Sequence, residues 1–244
     1  VRDPSGNWEA IAATQPYFGV LTDARFIGAL TPETLAEFFR TGEADADFLL
    51  ALVARNGGIE SPRRVLDFGC GVGRLSLAFA RRAESVTGVD VSPTMRALAG
   101  QHRDAAGLAN VSFIDDVDAL PDSAFDLVVS LIVFQHIPIG TGEELLRAIL
   151  RKLSPGGSAA IHFTFSRPGG RLRRLARRLR ATFPIVHRVA QRMAREPLRL
   201  PYMEMNEYDQ ARIVRIIENA GCRVSGIEPT NHGGVRGGIV TAMR

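Results

Sequence analysis

Three glycines at alternate positions, Gly69-x-Gly71-x-Gly73, follow a short apolar run that ends in Asp67-Phe68, and an amphipathic segment follows them. A strand that passes through such a loop into a helix brings backbone N–H groups close to a ligand, because no Cβ stands in the way. The dinucleotide fingerprint would place its last glycine at position 74, where this chain has Arg74, and no Walker lysine with Ser/Thr follows. Asp67 would repel a pyrophosphate but suits a cofactor bearing an ammonium and a sulfonium, so the loop favours S-adenosylmethionine over NAD. Asp90 closes the next apolar run, where a carboxylate can accept from both ribose hydroxyls; helix capping is the other reading, and Ser92 fills that role better. Asp115-Asp116-Val117 closes a third run. There a carboxylate can accept from an adenine amino group while Val117 covers the ring, although turn chemistry would also place two aspartates at that point.

These residues need a parallel sheet to hold them on one edge. Short apolar runs at 64–68, 85–90, 111–115, 125–133, 158–165, 223–229 and 238–243 read as strands, with helices starting near Gly73, Pro93, Gly142 and Asn206. Ser92-Pro93 and Asn206-x-x-Asp209 resemble helix starts. The alternation predicts a doubly wound α/β fold with a mostly parallel seven-stranded sheet, and the short link at 231–238 makes the last two strands an antiparallel hairpin. In such a sheet ligands bind beyond the carboxyl ends of the strands. The chain divides into an N-terminal helical segment (1–60), an α/β core (61–165), an Arg-rich helical insertion (166–205), and a closing helix with hairpin (206–244). Thr31-Pro32 opens a helix whose apolar positions are Leu35, Phe38 and Phe39, then Phe48, Leu49, Leu52 and Val53, until Asn56-Gly57-Gly58 stops it.

From 64 to 165 the order and spacing of motifs resemble the class I S-adenosylmethionine-dependent methyltransferase family. The resemblance is carried by Val65-Leu66-Asp67-Phe68-Gly69-Cys70-Gly71-Val72-Gly73-Arg74, Val86-Thr87-Gly88-Val89-Asp90-Val91-Ser92 and the stretch from Asp116 to Pro121. It continues in Phe125-Asp126-Leu127-Val128-Val129-Ser130, Gln135-His136-Ile137-Pro138 and Leu153-Ser154-Pro155-Gly156-Gly157. It implies that Asp67, Gly69 and Gly71 hold the methionyl end, Asp90 the ribose, and Asp116 with Val117 the adenine. Cys70, Val91 and Ser130, beside these residues, complete the expected cofactor site. Acceptor identity does not carry over, because the N-terminal helices and the insertion lie where the family varies most.

Methyl transfer is an in-line displacement that requires nucleophile, methyl and sulfur to be collinear and dry. A phenol or carboxylate acceptor loses its proton readily, whereas an aliphatic hydroxyl needs a base. His136, after the fourth strand, is the first candidate base, with a pocket-shaping loop histidine as the other reading; His232, in the hairpin link, is the second. His162, inside a strand, and His187, inside the insertion, read as structural. Gln135, Met203, Asn206 and Tyr208 are expected on the acceptor side, and Tyr17 with Phe18 either closes over the cofactor or packs in the core.

The chain has 244 residues, 45% hydrophobic and 23% charged, which suits one large α/β domain. Its net charge of +4 conceals a stretch from Arg167 to Arg199 with eleven arginines and one acidic residue, so the basic character is local. That stretch reads as a solvated helical cap, as attraction for an anionic or lipid-like acceptor, or as a nucleic-acid surface. The last is disfavoured because Phe183 is its one aromatic residue. Two distant cysteines, Cys70 and Cys222, signal neither a metal site nor a disulfide framework, and no membrane-length apolar run or signal-peptide pattern occurs, so a cytoplasmic protein is expected. The expected function is methylation of a small-molecule acceptor, most simply at oxygen. The alternatives are a nucleotide-binding oxidoreductase or epimerase, and a non-catalytic module that binds RNA or membrane.

Overall fold

The computed structural model describes residues 4–169 and 203–244. The strands β1 (Arg64–Phe68), β2 (Ser85–Val89), β3 (Val111–Ile114), β4 (Phe125–Ser130), β5 (Leu153–Ser166), β6 (Arg223–His232) and β7 (Val235–Met243) form one sheet in the order β3-β2-β1-β4-β5-β7-β6. The first five run parallel, and β7 lies antiparallel between β5 and β6. Strand order reverses between β1 and β4. The crossovers that leave these two strands therefore depart on opposite faces and open a crevice at their carboxyl ends.

Helices α1 (Pro4–Thr14), α2 (Pro16–Val20), α3 (Pro32–Arg55), α4 (Arg74–Ala80), α5 (Pro93–Ala105), α6 (Ile139–Arg151) and α7 (Gln210–Asn219) surround the sheet. One face buries Leu66, Phe68, Val128, Ile161 and Phe163 against α6 and α7, where Leu146, Ile149, Ile213 and Ile217 point inward. The other buries Val65, Val86, Leu127 and Val129 against Leu49, Leu52 and Val53 of α3 and Leu75, Leu77 and Phe79 of α4. Strands buried on both faces read as nearly continuous apolar runs, which is why β1 and β4 stood out in the sequence. A third cluster, Ala12, Phe26, Phe38, Val72 and Met95, binds the N-terminal helices to α5.

Thr31 caps α3 by accepting from the Thr34 amide, and Ser92 caps α5 by accepting from the Met95 amide. Helix α3 is continuous through both expected apolar sets, although Phe48 faces solvent. Three boundaries differ from the sequence reading. Strand β4 ends at Ser130, not near Val133, because the chain turns at Ile132, whose φ is 61°. Strand β5 begins at Leu153, not Ser158, and a register shift opposite Phe125 and Leu127 absorbs the Ser154-Pro155-Gly156-Gly157 turn as a bulge. Helix α7 starts at Gln210 on an Asp209 cap, since the Asn206 amide is committed to the Gln135 carbonyl. The Arg-rich cap expected over 166–205 falls almost entirely on positions 170–202, outside the described residues. Among the described residues no helix is long and apolar enough to cross a membrane.

Candidate active site

A cavity of about 370 Å³ opens at the carboxyl ends of β1 and β4, a volume within the range of small-ligand sites. Phe68, Gly69 and Gly71 of the first loop, Val89, Asp90 and Val91 after β2, and Asp115, Asp116 and Val117 after β3 line it in the order of the strands. Gly69 and Gly71 adopt left-handed φ values of 77° and 53°. A Cβ on Gly71 would lie 2.6 Å from Val20, and one on Gly69 would collide with Val133. The loop thus needs glycine both for its backbone and for its close neighbours.

The Asp90 carboxylate accepts from the Gly71 amide through Oδ2 and from the Ser92 amide through Oδ1, both at 2.9 Å. One side chain therefore fixes the glycine loop to the start of α5 and keeps its remaining lone pairs toward the cavity. Burial raises its pKa, against the lowering effect of those two amides. At the far end Asp116 accepts from the Asp118 amide to start a short 3₁₀ turn at Val117–Ala119, which presents the buried Val117 to the cavity. Asp115 is held by Arg96 at 3.6 Å.

Three expected cofactor residues stand behind this wall. Asp67 is buried and accepts from Ser76 Oγ at 2.6 Å on the α4 side; burial pushes its pKa up to about 6, against the Ser76 bond and the Arg74 charge, while Asp90 adds to the rise. Ser130 donates to the Phe68 carbonyl at 2.9 Å and ties β4 to β1. Cys70 is buried beside Gly88, and burial raises its thiol pKa. These side chains hold the loop, and the cavity wall is formed by their neighbours.

His136 lies on the wall in the 3₁₀ turn Phe134–His136. Its Nδ1 lies 2.7 Å from the Glu204 carbonyl, which can only accept, so Nδ1 carries the proton and Nε2 is the acceptor. Gln135 Nε2, at 3.1 Å, then donates to Nε2, while Gln135 Oε1 accepts from Thr164. Burial pushes the His136 pKa down to about 4, with the Arg167 charge adding to the effect and the Glu204 bond opposing it.

Trp8, Gly19 and Val20 complete the cavity from the N-terminal helices. The Trp8 ring meets His136 edge-on at 5.0 Å. Glu9, the next residue, accepts from Ser92 Oγ at 2.6 Å and from the Thr94 amide at 3.2 Å, and Thr94 Oγ1 also donates to it. A carboxylate at the start of α5 is favoured by the helix dipole and the free amides there. Leu131, Ile132 and Val133 form the opposite side. A β-branched residue in left-handed conformation costs on the order of 1–2 kcal/mol, and here that strain sits at the cavity itself.

The structure relocates the remaining expected residues. Tyr17 faces away from the cavity, with its hydroxyl 2.9 Å from His102 Nε2 and its ring against Phe38; two and three residues later Gly19 and Val20 reach the cavity instead. Gln135, Asn206 and Tyr208 support the turn that carries His136. The Asn206 amide donates to the Gln135 carbonyl, and the Tyr208 hydroxyl donates to the Ile137 carbonyl from a buried position. Met203 is half-buried in the same supporting segment, outside the cavity wall. His232 is displaced by topology: it ends the edge strand β6, two strands beyond β5, where it packs exposed against His162 at 5.7 Å. Trp8, Met95, Thr141 and Leu145 were missed, because their places depend on packing between distant segments; the lone tryptophan was the one signal available.

Residues 65–157 match the family model described as a methyltransferase domain. A 97-residue stretch is 35% identical to a ubiquinone biosynthesis O-methyltransferase of Xanthomonas euvesicatoria pv. vesicatoria, covering 38% of this chain and 40% of that protein. A similar match, 34% over 99 residues, is found with the protein of the same name from Paracidovorax citrulli. The matched stretch thus spans about 40% of the length of these curated relatives. Among solved structures, magnesium protoporphyrin IX methyltransferase from Synechocystis PCC 6803 with bound SAH aligns over 94% of this chain and 97% of its own, with a TM-score of 0.60 and 20% identity. Residues 65–157 thus match a methyltransferase domain, and the seven-stranded fold around them is shared with the Synechocystis methyltransferase structure.

Proposed function

We propose that this protein transfers a methyl group from S-adenosylmethionine to a hydroxyl of a small acceptor. The observation that carries this reading is the single cavity in which the glycine cradle, Asp90 and the Asp116-Val117 turn follow one another along the β1, β2 and β3 ends. The residues fit the cofactor: a Cβ would fill the cradle, Asp90 has acceptor capacity for vicinal hydroxyls, and apolar Val91 and Val117 suit an adenine ring. Cys70, Ser130 and Asp67 support that cradle from behind. When bound, S-adenosylmethionine supplies an electrophilic methyl on a sulfonium.

The chain's own contribution is positioning and exclusion of water. Trp8, Val20, Ile132 and Val133 give the region next to the glycine loop an apolar wall, which suits an aromatic or otherwise apolar acceptor. His136 is the base in this reading. Its fixed Nδ1–H leaves Nε2 as acceptor, and an acceptor hydroxyl takes the place now held by the Gln135 amide. With its pKa near 4, this imidazole suits an acidic hydroxyl such as a phenol rather than an aliphatic alcohol. Support for oxygen as the target comes from the names of the curated relatives. The test is calorimetry with S-adenosylmethionine, S-adenosylhomocysteine and NAD, followed by radiolabelled methyl transfer to a panel of phenols, alcohols and amines. Binding of NAD in preference to the other two, or transfer confined to amines, would overturn it.

A further inference from the structure

Helices α1 and α2 have eleven and five residues, below the ~12–15 at which even an isolated helix of good formers is marginal in water. They stand by docking, and the surface on which they dock is the cavity. A Cβ on Gly19 would lie 2.5 Å from Ile11, so the two helices pack as one piece. Val20 of that piece rests on the glycine loop, 2.6 Å from where a Gly71 Cβ would be, and Trp8 lines the same cavity beside His136. A ligand lying along the loop and Asp90 is therefore covered by a segment whose hold on the sheet comes from a few contacts, the kind of element that opens locally at low cost.

The charged contact of this cover lies outside the cavity wall, at Glu9. Its carboxylate accepts from Ser92 Oγ at 2.6 Å, from the Thr94 amide at 3.2 Å and from Thr94 Oγ1. The Ser92 and Thr94 bonds hold its pKa below the usual glutamate value, so the contact is ionic at neutral pH. Ser92 is fully buried, and it passes the contact on: its amide donates to Asp90 Oδ1 at 2.9 Å, while its Oγ also accepts from the Met95 amide at 3.1 Å. Asp90 in turn accepts from the Gly71 amide, against which Val20 packs. The circuit runs from Glu9 through Ser92, Asp90 and Gly71 to Val20, so it begins and ends on the cover and passes through the cradle between.

We infer that α1 and α2 form a closable cover over the cofactor and that Glu9 is its latch, so that latch and ligand stabilise the same closed position. The inference rests on the methyl-transfer reading for the identity of the ligand. Weakening the latch lowers the closed fraction, and the apparent Kd rises by the same factor. Trp8 is the one tryptophan of the chain, so its emission reports the cover alone. Acrylamide quenching of that emission is measured on the full chain with and without saturating S-adenosylhomocysteine, beside calorimetric titration with the same ligand. In Glu9→Ala the ligand-free Trp8 should be at least about twofold more quenchable than in the wild type, and saturating ligand should restore the wild-type value. Its Kd should rise about tenfold, although the substituted side chain does not line the cavity. Thr94→Val, which removes one hydroxyl of the latch and leaves Ser92 in place, should raise Kd by about threefold. Circular dichroism checks that the variants are folded; if Glu9→Ala is not, Glu9→Gln, which keeps a neutral acceptor, should show the same reversible exposure with about a threefold rise in Kd. Wild-type shielding of Trp8 in the folded latch variant, an exposure that ligand does not reverse, or an unchanged Kd would overturn the inference and leave the cofactor reading standing. Failure of the wild type to bind S-adenosylhomocysteine would overturn both.

Discussion

Replacing Asp67 by Asn should make the cofactor-free protein more stable at neutral and alkaline pH. The carboxyl is fully enclosed by the sheet and α4, and its pKa rises from 3.8 to about 6. At about 1.4 kcal/mol per pH unit, ionising it in place costs about 3 kcal/mol once the pH exceeds 6. An amide avoids that cost but gives Ser76 a weaker acceptor, a loss of about 1 kcal/mol, so the net gain should be about 2 kcal/mol. For a chain of this size that corresponds to roughly 4–8 °C in Tm. The sign follows from linkage: the folded state holds this proton more tightly than the unfolded state, so the stability present below 3.8 is lost as pH rises through 6. His136 and His162 act oppositely. Their pKa values, pushed down from 6.5 to about 4 by burial, add stability as pH rises through the same window. The difference between wild type and Asp67→Asn therefore isolates Asp67. Thermal melts at pH 5 and pH 8 should show a markedly smaller advantage for the variant at pH 5. A variant no more stable than wild type at pH 8, or equally advantaged at both, would refute the reasoning.

Asp90→Ala should weaken S-adenosylhomocysteine binding by about 1.5–3 kcal/mol in calorimetry, since it removes a charge-assisted acceptor and the anchor of the Gly71 amide; unchanged affinity would take Asp90 out of the site. His136→Gln should lower kcat by about 10²–10⁴ with cofactor affinity nearly intact. In the wild type the corresponding inflection should fall near pH 4, not near 6.5, and an inflection near 6.5 that persists in the variant would assign it to another group. His162→Asn should leave stability at pH 7.5 nearly unchanged and raise it at pH 5 by about 2 kcal/mol, because the buried imidazole no longer has to stay neutral below its ordinary pKa; identical acid denaturation of variant and wild type would count against that.

The sheet was legible because its strands are written as local patterns. Both-face burial makes β1 a continuous apolar run, and Ser92-Pro93 and Thr31-Pro32 cap their helices with side chains three residues away from their targets. The half of the cavity at the strand ends was legible for a related reason: it hangs on consecutive strand ends, so Gly69, Gly71, Asp90, Asp116, Val117 and His136 line it wherever the sheet forms. The other half was not. Trp8 and Val20 meet the loop only after two separate helices dock, and α2 is so short that choosing its inward face differs by a few residues between Tyr17 and Val20. Ile132 is the extreme case, since nothing local prefers left-handed backbone at a β-branched residue and the turn is imposed by what surrounds it. His232 was misplaced because strand ends look equivalent in sequence, while their distance from the crevice depends on strand order.

Trp8, Gly19 and Val20 lie outside residues 65–157, so the boundary of the matched domain runs through the cavity wall. The N-terminal helices that cover the glycine loop are joined to the start of α5 at Glu9. Substitutions in α1 and α2 can therefore reshape what the cavity admits without disturbing any strand or the glycine loop. A shortened form lacking those helices would retain the whole sheet, yet its ligand would face solvent where Trp8 and Val20 now stand. What the cavity admits is thus open to change at the amino-terminal helices, far in sequence from the glycine loop.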